Sequence, residues 1–162
     1  MSRTITVGIS DLNIAKAPDV LVTYALGSCI GICLYDAASK TAGLSHIMLP
    51  SAAAAPNVAD QPMKFADTAI ELLIRKMESA GARRVLLKAK IAGGAQMFSG
   101  LSNSSIANIG LRNAQAVKME LMRQRIPISA EDTGKNYGRT LFFSADDGMM
   151  TIKSATKGEW IW

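Results

Sequence analysis

Hydrophobic and polar positions first alternate with a period of two. "TITVGI" (4–9) and "DVLVTYAL" (19–26) read as strands, and "CIGICLYD" (29–36) and "GLSHIMLP" (43–50) as two more, joined by the polar loop "AASKTA" (37–42). The small, Pro-containing "SAAAAPNVADQP" (51–62) reads as a loop. The period then changes to 3.6: "PMKFADTAIELLIRKMESA" (62–80) places Phe65, Ala69, Leu72, Leu73 and Met77 on one helical face, and Gly81 supplies the stop. "RRVLLKAKIAGGAQMF" (83–98) reads as a strand running into a glycine bend. "NIGLRNAQAVKMELMRQR" (108–125) predicts a second amphipathic helix with Leu111, Ala114, Val117 and Leu121 inward, ended by Pro127. "ISAEDTG" (128–134), "RTLFFSADDG" (139–148) and "MMTIKSA" (149–155) return to strands around an Asp-Gly turn, and "TKGEWIW" (156–162) follows as a tail. The order β-rich, α, β, α, β-rich predicts an α+β fold with two helices covering sheet faces.

At 162 residues and 49% hydrophobic content the chain fits a single domain spanning residues 1–162. No apolar run reaches the roughly 18 residues of a membrane span, and the N-terminal residues lack the apolar core of a signal peptide, so a cytoplasmic location is expected. Eighteen basic against thirteen acidic residues give a net charge of +5. The basic positions, among them Arg83, Arg84, Lys88, Lys90, Lys118, Arg123, Arg125, Lys135 and Arg139, are scattered with few aromatics between them. That pattern fits an acidic protein partner better than nucleic acid.

Cys29 and Cys33 are the only cysteines and His46 the only histidine. On one strand the two cysteines stand about 13 Å apart, beyond disulfide reach. If the loop 37–42 closes a hairpin, Asp36 pairs with Gly43, His46 faces Cys33, Cys29 lies near Pro50, and Cys29 and His46 share a sheet face. Thr23, beyond the Leu-Gly-Ser corner, can return its hydroxyl to the same place. A thiol, an imidazole and a hydroxyl are the parts of Cys-His nucleophilic catalysis, the third group orienting the ring. Gly27 lets the backbone bend so that amides around Ser28 and Cys29 face a developing oxyanion. Burial accounts equally well for each residue taken singly. Cys33, between Ile32 and Leu34, packs as a small hydrophobe, Thr23 suits a strand, and a lone histidine in an apolar strand is often a satisfied core residue. The glycines of "AGGAQMF" read as a bend rather than a phosphate loop, and "EDTG" with Arg139 as a turn with the arginine paired to an acid.

"LGSCIGICLYD" (26–36) and "AGLSHIMLP" (42–50), with "KIAGGAQMF", "NIGLRN", "IPISAEDTG" and "YGR" in that order, closely resemble the chemoreceptor glutamine deamidase family, CheD, over nearly the whole chain. The resemblance implies a sandwich of β-sheets with helices outside, related to bacterial toxins that deamidate glutamine in GTPases. It implies a Cys-His-Thr triad of Cys29, His46 and Thr23, hydrolysis of receptor glutamine side chains to glutamate without metal or organic cofactor, and a CheC-type phosphatase as a possible partner. Gly134-Lys135 stands where the family commonly has Gly-Gly. Another Cys hydrolase, a non-catalytic adaptor for the phosphatase and a nucleic-acid binder are the alternatives.

Overall fold

A computed structural model of the chain describes residues 1–52, 60–97 and 108–162. Ten strands and two α-helices follow in the order β1 (Thr4–Thr6), β2 (Asp11–Lys16), β3 (Val20–Leu26), β4 (Ile30–Asp36), β5 (Thr41–Ile47), α1 (Ala66–Ser79), β6 (Lys88–Gly93), α2 (Ile109–Arg123), β7 (Ile128–Thr133), β8 (Arg139–Ser144), β9 (Met150–Ser154) and β10 (Gly158–Ile161). One sheet has the order β1-β3-β8-β9-β10 and the other β2-β5-β4-β6-β7. This is the expected α+β sandwich. Most of the loop read at 51–62 lies outside the described residues.

Every residue of β5, and all of β4 but Tyr35, is buried. The reason is a layer on each face. Ile30, Ile32, Leu34 and Ile47 pack with Ile70, Leu73, Ile74 and Met77 of α1 and with Val117 and Leu121 of α2. On the opposite face Cys33, Ala42 and Leu44 meet Leu21, Leu26, Leu141, Phe143 and Ile152 of the other sheet. A strand covered on both sides reads as a near-continuous apolar run, which is what "CIGICLY" is.

The structure departs from these expectations in five places. The β4–β5 hairpin closes over residues 37–40, with Asp36 opposite Thr41 rather than Gly43. The cause is the Asp36 carboxylate, which accepts the Ala38 amide at 2.9 Å, the Ser39 hydroxyl at 3.0 Å and the Arg83 amide at 2.9 Å, tightening the turn so that Thr41 and Ala42 join the ladder. β2 was not legible, because "DLNIAK" is an edge strand with polar residues interleaved whose backbone partners lie on β5. The tail is likewise a strand, β10, paired with β9. Leu111 is 59% exposed, and the inward face of α2 is Gly110, Asn113, Ala114, Val117, Glu120 and Leu121. α1 begins at Ala66, after a short turn at Pro62–Lys64, and buries Ile70 and Ile74 as well as Ala69, Leu73 and Met77.

Leu73 joins α1 to the sheet across Gly43 and is fully buried. Leu73→Ala is expected to lower unfolding free energy in chemical denaturation by about 2–5 kcal/mol, the range for a large-to-small change in a closed core.

Candidate functional site

At Thr23 β3 departs from regular pairing. Thr23 lies opposite Leu141 and Leu26 opposite Arg139, so the strand carries one extra residue between them, and Ala25 takes a φ of +59° to accommodate it. The bulge returns Leu26 to the core and turns the chain toward the second sheet. Gly27 and Ser28 make the crossing, and Cys29 stands one residue ahead of β4. The corner is tied down by amides of the glycine bend after β6: Gly94 donates to the Cys29 carbonyl and Ala95 to that of Gly27, both at 2.8 Å. Gly93 has a φ of +113°, and a Cβ there would stand 2.2 Å from the Cys29 carbonyl oxygen. "AGG" is therefore a bend, required by close approach to the corner that carries Cys29.

The corrected register moves His46 two residues along β4, from Cys33 to a position opposite Gly31. Continuing the ladder one step beyond Ile30 makes Cys29 a diagonal neighbour of His46 on the face toward the other sheet, where such pairs are about 7–8 Å apart or less at Cβ. From that other sheet, Thr23 Oγ1 lies 2.7 Å from His46 Nδ1 and donates to the Val7 carbonyl at 2.7 Å. A hydroxyl has one proton. With that proton committed to Val7, Thr23 must accept from His46, so Nδ1 carries the hydrogen and Nε2 is left with its lone pair. Nε2 is buried and has no hydrogen-bond partner among the described residues.

Thr23 and His46 are both fully buried, while Cys29 is half-buried. Burial pushes the imidazole pKa down to about 4. It pushes the Cys29 thiol up, against a smaller pull downward from that residue's own backbone amide. Both groups are therefore neutral near pH 7 and do not form a standing ion pair. Cys33 is fully buried and its thiol is pushed far up by the same cause, with the Lys90 ammonium opposing weakly, so it remains the core residue its neighbours suggested.

The structure thus brings Thr23 and His46 into direct contact, sets Cys29 on the same face, and places Gly27 and Ser28 at the crossing. Sequence reasoning missed Asn113. This fully buried side chain on α2 donates from Nδ2 to the carbonyls of Ser28 and Met48, each at 2.9 Å. Its signal was there: an amide on the apolar face of a helix, four residues before Val117, must have a partner. Arg139 pairs with Asp132 at 3.2 Å, also donates to the Gly134 carbonyl, and covers the Tyr137 ring. Trp160 Nε1 donates to the same carboxylate, which docks the tail on the sandwich. Large apolar side chains stand exposed around the corner: Ile9, next to Ser10 whose amide donates to the His46 carbonyl; Tyr24, after Thr23; Met48; and Met97, over Gly27. Among the described residues no group of three or more His, Cys, Asp or Glu could hold a metal ion, and no helix is long and apolar enough to cross a membrane.

These features define a two-sheet α+β sandwich with a cysteine, a histidine and a threonine gathered where the chain crosses between sheets. The chain belongs to the CheD family: the family model described as CheD chemotactic sensory transduction matches residues 48–154. Relatives named "Probable chemoreceptor glutamine deamidase CheD" agree over almost the whole length. That of Clostridium botulinum is 56% identical over 92% of this chain and 91% of its own, and that of Clostridium novyi 53% over 95% and 94%. That of Syntrophomonas wolfei, 51% identical over 98% of both chains, spans residues 23–46 ahead of the family match. The crystal structure of a Neisseria meningitidis protein of family-model DUF152 shares the fold, with a TM-score of 0.51 over 90% of this chain and 75% of that one at 8% identity.

Because His46 is the chain's one histidine, its Cε1 proton can be followed without ambiguity by NMR. Its titration midpoint is expected near pH 4 instead of the ordinary imidazole value of 6.5. An unfolded chain takes up that proton first, so stability should fall as pH drops from about 6.5 toward 4. A midpoint at 6.5 would contradict the buried, neutral ring.

Proposed function

We propose that this chain, acting as one deamidase unit in the cytoplasm, hydrolyses glutamine side chains of chemoreceptor cytoplasmic helices to glutamate and ammonia, with Cys29, His46 and Thr23 as its catalytic group. The observation that carries the reading is the hydrogen-bonding state of His46: Nδ1–H held by Thr23, Nε2 without a partner among the described residues, on the sheet face that Cys29 shares. In this reading Nε2 takes the thiol proton as Sγ attacks the carboxamide carbon. The C=O electron pair moves to oxygen, where backbone amides at Ser28 and Cys29 receive it. The pair returns, the C–N bond breaks, and His46 gives its proton to the leaving ammonia. Water, deprotonated at Nε2, then opens the thioester, yielding glutamate and restoring the thiol. Neither a metal nor an organic cofactor enters the scheme.

Family membership and the names of the relatives support this substrate class. So does the surface. The exposed Ile9, Tyr24, Met48 and Met97 offer an apolar rim to a protein helix, and a cleft of about 600 Å³ beside Ala25 carries Lys153 and Lys157 toward an acidic one. A CheC-type phosphatase, implied by the resemblance, is proposed as a second protein partner. A bare adaptor would have no use for a buried imidazole with an unsatisfied nitrogen, which costs about 1–3 kcal/mol.

Mass spectrometry of a receptor cytoplasmic fragment incubated with the protein should find gains of about one dalton at particular glutamines, without backbone cleavage. Cys29→Ala and His46→Ala should abolish the gain, Cys33→Ala should keep most of it, and Thr23→Ala should slow it about ten- to a hundredfold. Equal losses in Cys29→Ala and Cys33→Ala would remove the nucleophile assignment. Since His46 stays neutral down to about pH 4 and the Cys29 thiol stays protonated beyond its ordinary range, kcat/KM is expected to be flat from about pH 5 to 8. An acid limb centred near 6.5 would point to a different base.

A further inference from the structure

α2 approaches the Cys29 corner more closely than a side chain at its start would allow. A Cβ on Gly110 would lie 2.4 Å from the Ala95 carbonyl oxygen and 2.6 Å from that of Gly94. That contact sets the helix on the glycine bend and places Asn113, almost one turn on, against the crossing. Both partners of its amide are carbonyl oxygens, of Ser28 and Met48, so the end facing them is the NH2, and its two hydrogens are both used. Oδ1 is buried with no partner among the described residues. The residue is therefore held at this place by its donor end, at the cost of an unmet acceptor.

The two carbonyls flank the candidate chemistry. Met48 follows the strand that carries His46. Ser28 supplies the C=O of the peptide whose N–H belongs to Cys29, and that peptide is trans, Ala17–Pro18 being the one cis bond among the described residues. In a planar trans unit the C=O and N–H point in opposite directions. Fixing the Ser28 carbonyl toward α2 thus fixes the Cys29 amide away from it.

We propose that Asn113 is a positioning residue for the oxyanion: by clamping the Ser28 carbonyl to that of Met48, it aims the Cys29 N–H at the place where negative charge develops when Sγ adds to a carbonyl carbon. The inference rests on the deamidase reading for its substrate and on the geometry for its mechanism. Asn113 touches neither substrate nor sulfur. It acts through one peptide plane.

The test separates addition to a carbonyl from simple thiol reactivity. The first probe is a peptide carrying glutamate γ-semialdehyde. Sγ bonds to its aldehyde carbon, the C=O pair moves to oxygen, and the thiol proton ends there, so the adduct uses the oxyanion donor. Iodoacetamide is the second: Sγ displaces iodide, the proton leaves to solvent, and no oxyanion forms. In Asn113→Ala, kcat on the receptor fragment should fall about 100-fold with KM within about threefold, and semialdehyde affinity should fall at least about tenfold. Alkylation of Cys29 should stay within about threefold of wild type. Alkylation falling in step with kcat would overturn the proposal in favour of a general loosening of the corner, and unchanged kcat and semialdehyde affinity would overturn it outright. If Asn113→Ala does not fold, Asn113→Asp has the same size. Only its protonated carboxyl can donate to either carbonyl, so it should be slowed more at pH 8 than at pH 5, and an equal loss at both counts against the proposal. A wild-type protein that leaves receptor glutamines unchanged would remove the deamidase reading, while the semialdehyde comparison would still decide the role of Asn113.

Discussion

One hydrogen bond, between Thr23 of β3 and His46 of β5, joins the two sheets through their shared interior and sets what the imidazole can do. Thr23 sits between the Val7 carbonyl and the ring, with a single proton to give. Giving it to the carbonyl forces the ring to donate at Nδ1. A buried polar pair of this kind adds only about 1 kcal/mol to stability when complete, yet leaving one member unmatched costs more. The tautomer is thus decided by packing, because the sheets cannot separate Thr23 from Val7 or His46 without opening an apolar core. A threonine also brings no charge to the pair. Nothing offsets the desolvation of an imidazolium, so the ring is neutral and basic at Nε2.

The corner that carries Cys29 is built by exclusion of side chains. The bulge at residues 24–25 redirects β3 and the crossing brings the chain onto the second sheet. Gly93 has no Cβ to collide with the Cys29 carbonyl, and Gly110 none to hold α2 away. The backbones of three segments then meet at close range, and their amides and carbonyls pair with one another or with Asn113. Such a corner moves little. A half-buried thiol on it shares a sheet face with the imidazole diagonal to it, the arrangement that the proposed nucleophile and base would require.

Much of this was legible along the chain. Alternation located β3, β4, β5, β7, β8 and β9, and the 3.6 period found both helices within a few residues. The parity argument put Cys29 and His46 on one face, and parity survived the register correction because a shift of two residues returns each side chain to the same side of the pleat. What escaped were features set by partners distant in sequence. β2 is a strand because β5 offers it a ladder, and β10 because β9 does. The hairpin register was misjudged because the Asp36 carboxylate, held in part by the amide of Arg83, shortens the turn. Leu111 was drawn inward on the pattern of α2, where Asn113 and Glu120 in fact complete the buried face.

The sequence by itself determined the α+β class, the thiol, imidazole and hydroxyl within one stretch of the chain, and the likeness to the CheD family. These are local matters: periodicity, chemical type and spacing along a backbone of known rise. The tertiary structure alone decided which nitrogen of His46 holds the hydrogen, how far burial lowers its basicity, which cysteine is reachable, and that an asparagine eighty-four residues beyond Cys29 governs the peptide in front of it. Desolvation and hydrogen-bond partnership depend on what is packed against a group, and in this sandwich the groups packed against the site come from the other sheet and from a helix.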